Sequence, residues 1–117
     1  MSLSPGEVVA FDASDLSTRK LVRATGAVGE ILAGVVGGTD PTVVYGGAAP
    51  LALGGSLALC RVSASAGAIR TGDLLSVSEL PGLARAATSP ERGTVVAKAL
   101  EPLAEGSGII HVLVMSR

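Results

Sequence analysis

Tryptophan is absent, and Phe11 and Tyr45 are the only aromatic residues in 117 positions. The 48% of the chain that is apolar is therefore almost all valine, leucine, isoleucine and alanine, and its interior must be made of thin layers. Charge of one sign is also missing. Nine basic and ten acidic residues are interspersed to a formal net charge of −1, which leaves no electrostatic footprint for nucleic acid or an anionic membrane. No run of about 18 apolar residues occurs, and no basic segment followed by an apolar one opens the chain. Neither a membrane span nor a signal peptide is expected. Cys60 is the single cysteine, so an intrachain disulfide is excluded and a small buried apolar side chain is the expected role.

Glycine and proline are plentiful. Sixteen glycines and six prolines are spread along the chain, as many short strands with tight turns require, and they argue against a helical bundle. The densest stretch is residues 67–83. Gly72-Asp73 reads as a tight turn, with glycine supplying a positive φ and the aspartate bonding backbone amides just ahead of it, and Leu74–Val77 follows as a strand. Leu80-Pro81-Gly82-Leu83 fits a type II turn, which returns Leu74–Val77 against Leu83–Ala87 as a hairpin.

Further strands are expected at 7–12, 20–24, 30–36, 42–45, 56–63, 94–100 and 109–115. Those at 30–36 and 109–115 are apolar on both faces; the first is expected to be covered on both sides, and both are expected to lie near the middle of a sheet. In 56–63, Leu57, Leu59 and Arg61 share one face while the smaller Ala58, Cys60 and Val62 share the other. The block from Gly46 to Gly55 lacks any clear period and reads as a loop crossing the domain. The sum is an all-β, single compact domain over 1–117 of about eight or nine short strands, a sandwich or a distorted barrel with β-clip-like hairpins. Residues 1–5 are expected to be flexible.

Chemistry is sparse. His111 is the only histidine, and in an extended strand it shares a face with Ile109, Leu113 and Met115, so a place in the core or across a subunit interface is expected for it, with Leu113 and Met115. One histidine and one cysteine 51 positions apart make no four-ligand zinc site, so no metal is assigned. The four aspartates, Asp12, Asp15, Asp40 and Asp73, sit beside turn signals without the alternation of a calcium loop. The glycine pairs at 37–38, 46–47 and 54–55 lack the lysine, hydroxyl residue and helix of a phosphate loop. No cofactor is expected.

Several segments, in order, carry a resemblance: Gly34-Val-Val-Gly-Gly-Thr-Asp-Pro-Thr-Val-Val-Tyr-Gly-Gly47, Leu57-Ala-Leu-Cys-Arg-Val-Ser63, Ile69-Arg-Thr-Gly-Asp-Leu-Leu75, Pro81-Gly82, Gly93-Thr-Val-Val-Ala-Lys-Ala-Leu-Glu-Pro102 and Gly108-Ile-Ile-His-Val-Leu-Val114. Together they resemble a β-rich domain found at the C-terminal end of phage fibre or neck-appendage proteins and of bacterial β-helical surface proteins. Its relatives include intramolecular-chaperone domains that help a fibrous trimer assemble and can be released by self-cleavage. The resemblance implies an assembly module, homotrimeric, continuing from an upstream fibre or β-helix segment of the same polypeptide, on a virion or a cell surface. It leaves two alternatives open. One is a self-cleaving chaperone domain, autoproteolysis being the sole enzymatic reading, with Ser14 and Asp15 as candidates for the scissile dipeptide. The other is a β-clip-like module that binds a ligand or glycan on the 46–55 loop.

Overall fold

The computed structural model describes residues 5–12, 14, 21–26, 30–37, 44–45, 49–52, 54–78, 80–87 and 94–115. Ten strands run through them: β1 (Val8–Phe11), β2 (Leu21–Arg23), β3 (Leu32–Val36), β4 (Val44–Tyr45), β5 (Ala49–Ala52), β6 (Leu57–Ser63), β7 (Leu74–Val77), β8 (Ala84–Ala86), β9 (Val95–Ala99) and β10 (Ser107–Val114). They form a five-stranded sheet in the order β2-β1-β3-β5-β4 and a closed barrel in the order β10-β6-β8-β7-β9. The protein is all-β, as the turn chemistry and alternation imply. Sheet and barrel are combined, so the choice between sandwich and barrel does not arise.

The barrel interior matches large residues with small ones across the β6–β10 ladder. Ile110 faces Cys60 and Val112 faces Ala58, all of them buried. Opposed pairs of this kind fill a narrow five-stranded interior without aromatic side chains. On β9 three consecutive residues, Val95, Val96 and Ala97, are buried, which simple alternation forbids. A β-bulge explains them. Leu75 pairs with Ala97 while Ser76 pairs with Val95, so Val96 is the extra residue and the alternation slips by one. Val96 and Ala97 join the same core as Val8, Ala10 and Val35 of the sheet, so one hydrophobic core serves both halves.

The β7–β8 hairpin forms where the turn chemistry places it, with Leu75 opposite Ala86 and Val77 opposite Ala84. Leu83 N–H donates to the Leu80 carbonyl at 3.1 Å, and Gly82 has φ 82°, as a type II turn needs. At the other end of β7, Gly72 has φ 93°, Asp73 N–H donates to the Arg70 carbonyl, and Arg70 N–H donates to Asp73 Oδ2 at 2.9 Å.

One expectation needs correction. Residues 49–52, read as part of a loop, form β5. Ala-Pro-Leu-Ala has no alternation to announce a strand, yet Ala49 and Pro50 pair with β4 while Leu51 and Ala52 pair with β3. The β3 pairing starts after Pro50, so its missing N–H breaks no part of that pairing. β10, expected near the middle of a sheet, is paired on both edges, to β6 and to β9, and of its two apolar faces the inner one is covered: Ile110, Val112 and Val114 are buried, whereas Ile109 and His111 are exposed. β3 does lie in the middle of its sheet, between β1 and β5.

The sheet is tied to the barrel by backbone. Gly6 N–H donates to the Val36 carbonyl, Arg61 N–H to that of Gly6 at 2.7 Å, Val8 N–H to that of Gly82 at 2.8 Å, Gly82 N–H to that of Ala24, and Ala24 N–H to that of Val8. Over this junction lies the buried carboxylate of Glu7, ion-paired to Arg23. A Cβ on Gly82 would stand 2.5 Å from Glu7 Oε2.

Gly82→Ala is therefore expected to combine a left-handed backbone penalty with displacement of the Glu7 carboxylate, a cost of about 2–4 kcal/mol in unfolding free energy by chemical denaturation. Gly72→Ala, which meets nothing within 4 Å, should lose only the conformational part, about 1 kcal/mol. Equal losses at the two positions would contradict this account.

Candidate functional site

The outward face of β6 and β10 is the most distinctive surface among the described residues. Because opposed residues of an antiparallel pair share a face, Ile109 stands across from Arg61, His111 across from Leu59 and Leu113 across from Leu57, all pointing away from the barrel interior. Leu57 is 57% exposed, Leu59 48%, Ile109 50% and the neighbouring Leu100 44%, four large aliphatic side chains each left about half in water. Single exposed leucines are ordinary. A contiguous group on one sheet face is not, and such groups mark interaction surfaces.

This inversion, with small residues inside and large ones outside, follows from barrel size. Five strands enclose little volume, so Ala58, Cys60 and Val62 take the inner positions of β6 and the leucines are left outside. The face division of β6 is legible in the sequence, but which face looks inward is not. The alternation of large and small along 57–62 was the available signal.

One polar pair stands among the leucines. Leu100 N–H donates to the His111 carbonyl at 3.0 Å, and just beyond it the Glu101 carboxylate receives His111 N–H at 2.5 Å and lies 2.8 Å from His111 Nδ1 through the same Oε1. These contacts, the backbone one first and the side-chain one second, hold the Glu101 carboxyl below its ordinary value of 4.5. The sign is that of a depressed acid: whatever the contact adds to stability is present above 4.5 and is lost as pH falls through the lower folded value. Sequence reading did not find Glu101, since the contact spans ten residues and depends on where β9 ends.

Charges flank the apolar group on neighbouring strands. Lys98 of β9 stands opposite Leu113 with its side chain exposed, and Arg61 Nε donates to the Pro5 carbonyl at 3.0 Å. Glu105 is exposed in the connection that leads into β10.

The residues singled out from sequence separate accordingly. Cys60 is in the core, fully buried, with its thiol pushed up to about 12 by desolvation. His111 is not in the core; it stands on the outer face, while Leu113 and Met115 are half-buried. Gly72, Asp73, Pro81 and Gly82 hold turns. Ser14 lies far from this face in sequence and is exposed in a local turn, its N–H and Oγ both donating to Asp12 Oδ1, at 3.0 and 2.6 Å. Asp15 lies outside the described residues, as do most of residues 13–20. Of the 46–55 block offered as a ligand loop, residues 49–52 form β5, and 46–48 and 53 lie outside the described residues.

Among the described residues, no group of three or more histidine, cysteine, aspartate or glutamate side chains is placed to hold a metal ion, and no helix is long and apolar enough to cross a membrane. Comparison with family models, curated proteins and solved structures finds no match for this chain.

At pH 8 the Cys60 thiol should react with an aromatic disulfide reagent roughly a hundredfold or more slowly in the native protein than in denaturant, at a rate set by opening of the barrel. Above pH 9.0 the unfolded thiol ionises while the buried one stays protonated to about 12, so native stability should decline through that window. Rapid labelling of the folded chain at neutral pH would place Cys60 outside the core.

Proposed function

We propose that the chain is a structural assembly module that associates with copies of itself, as a homotrimer, through the outer face of β6 and β10, and that it registers the end of a fibrous appendage-like or surface protein. The observation that carries the reading is the group of half-exposed Leu57, Leu59 and Ile109 on the two longest strands of the barrel, with Leu100 beside them just after β9. A rigid ladder of seven opposed residue pairs presents them, so the face meets a partner without reordering.

A second copy is the occupant that this surface favours. Lys98 and Arg61 supply positive charge and Glu101 negative charge beside one apolar stripe, so the same patch presents both halves of a complementary set. Identical chains can satisfy such a pattern by rotation about a closed axis. Finishing the burial of a half-exposed leucine or isoleucine contributes about 1 kcal/mol, so the four on each chain supply about 4 kcal/mol toward association, to which shape and charge complementarity add. The threefold number comes from the resemblance to fibre-end domains, and the choice of face comes from exposure and charge.

Multi-angle light scattering across a micromolar concentration series is expected to give a mass of three chains, against 11.5 kDa for one. Leu59→Asp combined with Ile109→Asp should return a single-chain mass while the circular dichroism stays that of a β-protein, since neither side chain is buried in the core. A wild-type chain that stays monomeric, or a double variant that keeps the oligomeric mass, would overturn the proposal.

A further inference from the structure

We propose that assembly through the β6–β10 face creates a binding site for a divalent transition metal, with Zn2+ the best fit, held by Nε2 of His111 from each of three copies. The site rests on the assembly reading above and names what that contact takes up. Its basis is where His111 stands. β10 lies between β6 and β9 in the barrel, and on its outward side His111 has Ile109 and Leu113 before and after it, Leu59 across the ladder on β6 and Leu100 beside it just after β9. An imidazole thus occupies the centre of an apolar stripe.

Glu101 decides which ring nitrogen is free. A carboxylate only accepts hydrogen bonds, so the 2.8 Å contact between Glu101 Oε1 and His111 Nδ1 puts the ring proton on Nδ1 and, in the neutral imidazole, leaves the Nε2 lone pair bare. The backbone N–H of His111 donates to the same Oε1, which fixes the carboxylate against β10 and the ring against the carboxylate. A carboxylate on one ring nitrogen and a bare lone pair on the other is how metal-ligating histidines are oriented.

Bringing copies together turns this orientation into a site. When three such faces close around an axis, β6 and β9 meet the neighbouring copies and the middle strand β10 faces the axis, so three His111 side chains converge there. Each brings an acceptor and none brings a donor, because every Nδ1–H is already given to its own Glu101. Acceptors left unmatched in an apolar contact are costly, and one water has too few hydrogens for three of them. A cation with open coordination positions satisfies all three. Three imidazole nitrogens with a fourth position left to water make a tetrahedral set of the kind Zn2+ takes, whereas Mg2+ and Ca2+ prefer oxygen donors. Lys98, opposite Leu113, and Arg61, opposite Ile109, stand at opposite corners of the face, and Glu101 keeps Oε2 to meet such a cation from the next copy while Oε1 holds the ring. One chain cannot form the site alone: among the described residues, no three potential ligand side chains lie together.

Equilibrium dialysis and sedimentation velocity of the untagged wild-type chain, stripped with a chelator and then given Zn2+ at fixed pH and ionic strength, test the site. His111 is the sole histidine and Cys60 is buried, so no second imidazole or accessible thiol competes for the ion. Bound zinc is expected to saturate at one ion per three chains, and the trimer formation constant to rise about a hundredfold when free zinc stands at a hundred times its dissociation constant. His111→Gln, at an exposed position, should lose both the stoichiometric zinc and the zinc-dependent rise. Glu101→Gln should hold zinc roughly 10–100-fold more weakly, as loss of an orienting carboxylate does, and unchanged affinity there would remove Glu101 from the positioning role. An oligomer that takes up no zinc, a ratio other than one ion to three chains, or uptake that survives in His111→Gln overturns the metal site and leaves the assembly reading to be judged by the metal-free mass. A wild-type chain monomeric with and without zinc overturns both.

Discussion

The contact on which the structure depends is the approach of the 80–83 turn to the start of β1. Val8, Ala24 and Gly82 exchange backbone hydrogen bonds in a closed cycle, each N–H donating to the next carbonyl, so the first sheet and the barrel are fastened where neither has side chains to spare. The approach leaves no room for a Cβ at Gly82, because the Glu7 carboxylate occupies that space on its way to Arg23. A buried carboxylate is tolerable only if paired, and the pairing with Arg23 brings β2 into the same junction. One glycine thus serves the geometry of its own type II turn and the docking of two sheets.

The shortage of aromatic residues shapes the rest. With valine, isoleucine, alanine, Leu75 and one cysteine as its filling and no aromatic ring, the barrel is narrow, and its narrowness is visible in the pairing of Ile110 with Cys60 and Val112 with Ala58. Where alternation supplies too little apolar volume, as on β9, a bulge turns an additional valine inward. The core then runs without a break from Val8 and Val35 in the sheet to Val112 and Val114 in the barrel.

Much of this architecture is legible in the residues. The hairpin of β7 and β8 follows from Pro81-Gly82, and the alternation of 57–62 divides β6 into the two faces observed. Other features depend on contacts that no local pattern encodes. β5 is a strand because β3 and β4 each pair with half of it, although Pro50 and the lack of alternation argue otherwise. β10 has apolar residues on both sides for two different reasons: Ile110, Val112 and Val114 fill the barrel, while Ile109 and Leu113 lie outside with His111. Hydrophobicity alone does not separate these cases. The Glu101–His111 contact and the Glu7–Arg23 pair are set by tertiary placement across ten and sixteen residues, so only the structure reveals them.

The two halves of the description meet at the outer face of β6 and β10. A barrel too narrow to admit Leu57 and Leu59 must leave them outside, and a chain whose strongest ladder is lined there with leucine and isoleucine carries a solvation cost that an isolated protomer cannot relieve. The same ladder is fixed on both flanks, to β9 on one side and through Arg61 to Gly6 on the other, so the face cannot fold back to cover itself. A rigid apolar surface that cannot be internalised favours a partner of matching shape. Both charge signs stand at its border, which is the feature that the proposed pairing of identical chains uses. The proposed self-association is thus the outward counterpart of how the interior is filled.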